Sequence, residues 1–225
     1  MTDTYPVIRL DDVTKIYPMP AGDVCAIDHL SLDIMPGEFI AIMGPSGSGK
    51  STLLNLIGCL DVPTTGDIQI NGLPVKALSD DELTTLRRDH IGFVFQQFNL
   101  LPLMSIVENV EFPLILRRRA SGARERCTEV LGAVGLTPDL STHRPSELSG
   151  GQQQRAAIAR ALVNDPGILL CDEPTGNLDS KTGDTIMALL SDLNRKGKTV
   201  LLVTHDPRIA GSAGRTIRMV DGRVA

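Results

Sequence analysis

Short apolar runs, separated by stretches with helical spacing, organise this chain. Phe39 to Met43, Ile91 to Phe95, Gly167 to Cys171 and Thr199 to Val203 are mainly aliphatic or β-branched and show no polar alternation. Runs of that kind read as strands covered on both faces, as in a parallel sheet lying between helices. Val7 to Leu10 and Ala26 to Ile34 instead alternate apolar and polar residues, the habit of half-exposed antiparallel strands. The pattern predicts an α/β fold, a mainly parallel sheet flanked by helices, with a small antiparallel β-lobe near the start. Between Leu103 and Glu147 the strand signals stop and helical spacing takes over, which predicts an inserted helical lobe. Arg117, Arg118, Arg119, Arg124 and Arg126 crowd one stretch of it. That run reads either as a solvated helix end or as a contact surface for a partner or acidic lipid heads.

Composition narrows the class. With 225 residues, 42% of them hydrophobic and 22% charged, the chain suits one globular unit or a core carrying a smaller lobe. Its 22 basic side chains against 27 acidic ones leave a net charge of −5, so the basic footprint of a duplex-DNA binder is missing and no nucleic-acid partner is expected. Cys25, Cys59, Cys127 and Cys171 are scattered without a CxxC pair and read as the reduced thiols of a cytosolic protein. No apolar stretch approaches the roughly 18 residues of a membrane span. The polar start, Met1 to Tyr5, lacks a signal-peptide core. Any service to a membrane is expected to come from outside the bilayer.

The first chemistry-bearing segment follows the strand that ends at Met43. Gly44, Pro45, Ser46, Gly47, Ser48, Gly49, Lys50, Ser51 and Thr52 spell GxxxxGKS plus Thr, and an apolar helix runs on from Leu53 toward Gly58. Glycines let the backbone curl so that successive amides point inward, and the helix adds its positive end, which together cradle phosphate oxygens. Lys50 would reach the β- and γ-phosphates and Ser51 would ligate Mg2+. Kinases, GTPases, recombinases and transporter motors all use such a loop, so a second site has to decide. Ile168 to Glu173 supplies a buried strand with two adjacent carboxylates at its C-terminal end. Asp172 suits the Mg2+ shell, and Glu173 has the reach and basicity to deprotonate a water for attack on the γ-phosphate.

Leu148, Ser149, Gly150, Gly151 and Gln152 then open a helix running from about Gln152 to Val163, a second amide-rich helix N-terminus. One nucleotide does not need both on the same subunit. Here the chain resembles the ATP-binding-cassette ATPases, whose signature is LSGGQ, and the resemblance covers essentially its whole length. It implies ATP and Mg2+ as cofactors and ATP hydrolysis as the reaction, with the helical lobe at 97–150 interrupting a core made from 1–96 and 151–225. Tyr17 resembles the aromatic that stacks on adenine. Gln96 resembles the glutamine that touches Mg2+ and the attacking water, and it begins the hinge to the helical lobe. Asp179 resembles the acidic member of the loop through which two subunits sense each other, and His205 the histidine that bonds the γ-phosphate. In the family two cassettes pack head to tail, so the resemblance implies a second copy whose Ser149 to Gln152 segment closes on the ATP held by the first copy's Lys50 loop.

Asn55 to Asp61, Arg87 to Pro102 and Glu108 to Glu111 are similar to the branch containing the LolD, FtsE and MacB cassettes. That likeness implies a separate integral-membrane permease served from the cytoplasmic face, with lipoprotein release or efflux as the work. Phe98 to Met104 would then form part of the groove for the permease, or simply pack the lobe. A regulatory cassette of the FtsE kind and a soluble cassette acting in DNA repair or on ribosomes are the competing readings. Cys171 reads as a small buried hydrophobe, and Gly211 to Gly214 as a loop.

Overall fold

A computed structural model describes residues 5–20, 22–117 and 121–225. The chain opens with β1 (Ile8–Tyr17) and β2 (Val24–Ile34), passes through β3 (Phe39–Met43) and α1 (Lys50–Ile57), and returns through β4 (Thr65–Ile70) and β5 (Leu73–Pro74). β2, β1, β4 and β5 form an antiparallel sheet in that order. Register follows the alternation in the sequence: Ile8 faces Ile34 and Leu10 faces Leu32 across one pair, while Ile8 faces Ile70 and Leu10 faces Ile68 across the other. The register slips between Leu10 and Val13, where Asp12 and, on the partner strand, His29 both have φ of 49°. The bulge turns Val13, Thr14 and Lys15 inward together and ends the simple alternation.

The remaining elements are α2 (Asp80–His90), β6 (Ile91–Phe95), α3 (Ile106–Leu116), α4 (Ala123–Ala133), α5 (Gly150–Leu162), β7 (Ile168–Asp172), α6 (Ser180–Arg195), β8 (Thr199–Val203), α7 (Pro207–Ala210), β9 (Arg215–Val220) and β10 (Arg223–Val224). The second sheet has the order β10-β9-β3-β8-β7-β6 and is parallel from β9 to β6. Its uninterrupted apolar runs have a direct cause. Leu169, Cys171, Val200 and Leu202 join a core with α5 and α6, while Ile168, Leu170, Leu201 and Val203 join a second core with α1 and the β-lobe. Both faces are covered, so polar residues in β7 and β8 are confined to the strand ends, at Asp172 and Thr199.

All four predicted buried strands are present. β7 is shifted one residue onward from the expected Gly167 to Cys171, leaving Gly167 outside and taking Asp172 as its last member. β4 and β9 escaped the sequence reading. β9 exposes Arg215, Thr216, Arg218 and Val220 and buries only Ile217 and Met219, so it lacks the apolar run that marks its neighbours. Gly211 to Gly214 is the connection that leads into it.

α3 and α4 pack against each other and against α5. Ser105 starts α3 with a capping box: its hydroxyl accepts the Glu108 amide, and Glu108 accepts the Ser105 amide in return. Fully buried Asn109 binds the loop that enters the lobe, accepting from Leu101 N at 2.6 Å and donating to the carbonyls of Leu101, Met104 and Ser105 at 3.0–3.2 Å. Arg117 pairs with Asp89, and Arg126 donates to Glu129 and to the Leu162 and Val163 carbonyls, so part of the arginine run serves packing. Arg118 and Arg119 lie outside the described residues, as do Met1 to Thr4 at the polar start. Among the described residues no helix is long and apolar enough to cross a membrane.

Candidate functional site

β3 ends at Met43 and the chain curls through Gly44 to Gly49 before α1 begins at Lys50. Sequence dictates that curl at two positions. A side chain at Gly44 would overlap the Met219 carbonyl of β9, and Gly49 combines φ of 96° with a close approach to the Ala26 carbonyl of β2. The loop is therefore wedged between the two sheets. Gly49 caps α1 without a side-chain hydrogen bond, so the first amides of the helix face outward without a partner from a capping side chain. Lys50 Nζ donates to the Gly44 and Pro45 carbonyls, both at 2.8 Å, which folds the ammonium over the loop. Ser48 is buried inside the loop, and its hydroxyl has no partner.

The loop forms one wall of an open cleft of about 710 Å3. Gly44, Pro45, Ser46, Gly47, Gly49, Lys50, Ser51 and Thr52 line it, facing Gln96, Asp172, Glu173 and His205 from the ends of β6, β7 and β8. Carboxyl ends of adjacent parallel strands meet here, the place where such sheets bind ligands. Burial pushes the Asp172 carboxyl up and Glu173 adds to that, while a hydrogen bond from Ser51 and the charge of Lys50 oppose the rise. Glu173 follows directly with φ of 48°, a conformation that costs a non-glycine residue about 1 kcal/mol and persists only when its surroundings impose it. Here Glu173 N donates to the Val203 carbonyl at 3.0 Å, and Gly176 N donates to the Glu173 carbonyl at 3.0 Å. The turn aims the Glu173 carboxylate at His205, whose Nδ1 lies 2.8 Å from Oε1. The hydrogen bond to Glu173, reinforced by its charge, raises the His205 pKa above its ordinary value.

Gln96 stands on the rim beside the turn after Glu173. Its side-chain Nε2 donates to Asn177 Oδ1 at 3.3 Å, and Asn177 Nδ2 donates to the Gln96 carbonyl at 2.9 Å.

Other residues singled out by the sequence stand elsewhere. Tyr17 is absent from the cleft lining, and its hydroxyl instead donates to Asp61 at 2.7 Å while Lys15 sits 4.8 Å over its ring. Burial raises the Tyr17 pKa, and the bond to Asp61 adds to the rise. Burial opposes ionisation of Asp61, but hydrogen bonds from Lys15 and Tyr17 outweigh it and hold that carboxyl below the usual range. Lining residues that the sequence reading missed are Val24, Cys25, Ala26 and Val203. The first three lie at the start of an alternating strand, and nothing in their spacing marks them as a wall.

Ser149, Gly150, Gly151 and Gln152 also lie outside the lining. Ser149 caps α5 by accepting the Gln152 amide, and Gln152 Oε1 accepts the Ser149 amide at 2.8 Å. A side chain at Gly151 would overlap the Thr182 methyl, so α5 begins hard against the start of α6. Asp179 caps α6, accepting from Thr182 N at 3.0 Å and Thr182 Oγ1 at 2.6 Å, and those bonds, the hydroxyl first, hold its carboxyl below the usual range. All four cysteines are free thiols, and burial pushes Cys171 up to about 12, as fits a packed hydrophobe.

Comparison with known proteins gives one answer. The ABC transporter family model matches residues 27–176. The ATP-binding protein MJ0796 of Methanocaldococcus jannaschii is 54% identical over 223 residues, 97% of this chain and 95% of that protein. The macrolide export ATP-binding/permease protein MacB of Marinobacter nauticus is 51% identical over 220 residues, 97% of this chain but only 34% of that protein, so the chain spans about a third of its MacB relative. A dimeric structure of the MJ0796 cassette in a post-hydrolysis state, bound to ADP and Pi, superposes with a TM-score of 0.89 at 53% identity over 96% of each chain. Loop, paired carboxylates and fold converge with these likenesses: the chain belongs to the ABC transporter family and is an ATP-hydrolysing cassette of the kind that powers transport.

Proposed function

We propose that this cassette drives a membrane permease of the MacB or LolD type by closing and reopening a head-to-tail pair of copies around ATP. The observation that carries the reading is the Glu173 and His205 pair, 2.8 Å apart on neighbouring strand ends and facing the Lys50 loop across one cleft. A triphosphate laid along the loop would meet the free amides of α1 and the Lys50 ammonium. Its γ-phosphate would then lie toward Glu173, placed to take a proton from the attacking water, and His205, placed to hold a γ-oxygen. Tyr17 would approach the adenine from beside the cleft.

The donor set fits Mg2+. Ser51, Asp172 and Gln96 offer hard oxygen ligands on one cleft, and among the described residues no cluster of three or more His, Cys, Asp or Glu would hold a metal alone. A cation here would take its other ligands from phosphates and water, as Mg2+ does. When bound it would neutralise charge on the β- and γ-phosphates.

Ser149 to Gln152 is a helix N-terminus outside the lining of its own cleft, and the reading gives it to the ATP of a second copy, with Asp179 at the join. MJ0796 is known as a dimer, which supports the pairing. The helical lobe at 97–150 would meet the permease. Leu100 packs into the core, while Leu101, Leu103, Phe112, Ile115 and Leu116 are exposed and offer an apolar docking face. The site of action is the cytoplasmic face of the membrane, with no part for nucleic acid. Relatives that are transport cassettes and macrolide exporters favour this over a repair or ribosomal role.

The test is recovery of tagged Glu173→Gln protein, with ATP, from detergent-solubilised native membranes. A stoichiometric multi-span membrane protein is expected. Ribosomal or DNA-repair proteins without a membrane partner would overturn the reading.

A further inference from the structure

Gln96 can ligate a metal ion only through one end of its amide. Oε1 accepts and can ligate a cation, whereas Nε2 donates and repels one. Nothing in the side chain itself favours either orientation, so something outside it has to choose. The residue on the spot is Asn177, 81 positions later, which meets Gln96 twice.

The two bonds form a chain of forced choices. The backbone carbonyl of Gln96 can only accept, so Asn177 must turn its Nδ2 toward it, at 2.9 Å. That leaves Asn177 Oδ1 facing the Gln96 side chain. An amide oxygen can only accept, so Gln96 must present Nε2, at 3.3 Å. Gln96 Oε1 is then the atom left for the cleft. Gly176 closes the arrangement from behind, since a Cβ there would come within 2.7 Å of Gln96 Nε2 and push the amide out of place. The same turn is tied to the preceding carboxylate, because Gly176 N donates to the Glu173 carbonyl at 3.0 Å.

We infer that Asn177 is a positioning residue that fixes the Gln96 amide with its oxygen toward the nucleotide cleft and registers it against Glu173. The inference rests on the reading of Gln96 as the residue that touches metal or attacking water. Sequence spacing hides it, because Asn177 sits in a turn where its side chain looks like ordinary turn chemistry.

Two measurements test it, and the first needs neither metal nor nucleotide. The side-chain amide resonances of Gln96, identified by their loss in Gln96→Ala, are expected to shift in Asn177→Ala while the thermal midpoint stays put. Unchanged resonances would overturn the inference. In steady-state hydrolysis Asn177→Ala is expected to lower kcat roughly fivefold, the size of one net hydrogen bond, with KM for ATP unchanged and a higher Mg2+ requirement. In a Gln96→Ala background the same substitution should do nothing further. Additive losses in the double variant would contradict action through Gln96. Full activity in Gln96→Ala alone would instead refute the role of Gln96, an outcome that the resonance shift keeps separate from the amide orientation.

Discussion

Two helix N-termini in this molecule carry glycines and small polar residues, and they are built in opposite ways. α1 begins at Gly49, left-handed and without a side-chain cap, under the Ala26 carbonyl of β2, and the loop leading to it starts at Gly44 against the Met219 carbonyl of β9. α5 begins at Ser149 with a complete capping box, in which Ser149 and Gln152 satisfy each other's amides. The first leaves its amides for a ligand and is held open by the sheets on either side. The second ties back its Gln152 amide with its own Ser149 hydroxyl. On the proposed reading the contrast separates two kinds of site: the loop before α1 would bind the triphosphate within a single copy, and α5 would become a site only when another copy brings an anion to it.

Substitutions sharpen the contrast. The largest effect is expected on the chemistry shared by both copies. Glu173→Gln should lower the hydrolysis rate by about 10^2 to 10^4 while leaving ATP affinity intact, because it removes the base and spares the loop. Parallel rate and affinity measurements check this. Next comes Lys50→Ala, which should weaken binding of a fluorescent ATP analogue by roughly 10- to 100-fold, the range of a charge-assisted hydrogen bond. Unchanged affinity would show that the open α1 end does not hold the triphosphate.

Ser149→Ala should behave in the opposite sense. It removes a cap worth about 1 kcal/mol, visible as a lower thermal midpoint, and leaves the affinity of a single copy for ATP unchanged. A loss of ATP affinity in dilute protein would erase the distinction between the two helix ends.

The smallest effect is on His205. Its folded pKa is raised by Glu173, so its contribution to stability is fully present below the ordinary histidine pKa and is lost as pH rises through the raised value. An NMR titration should find the midpoint above 6.5, and Glu173→Gln should lower it.

The same two regions show what a sequence makes legible. GxxxxGKS between an apolar strand and an apolar helix was readable because glycine freedom and strand burial both leave local traces. LSGGQ was equally plain, and its cap could be anticipated from Ser149 and Gln152 three residues apart. Contacts made across the fold left no such trace. Asn177 and Gln96 meet only because β6 and β7 run side by side, and Tyr17 lies outside the cleft lining because Asp61 and Lys15 claim its hydroxyl and ring. β9 went unread for the complementary reason, since a strand with three exposed residues on one side has no apolar run to announce it.

The central claim is that the self-capped end of α5 completes the ATP site of another copy. Sedimentation of Glu173→Gln protein with and without ATP tests it most directly. The account predicts a monomer without nucleotide and a stable dimer with ATP, lost again when Ser149→Arg is added. A monomer that binds ATP and stays monomeric at high protein concentration would contradict it.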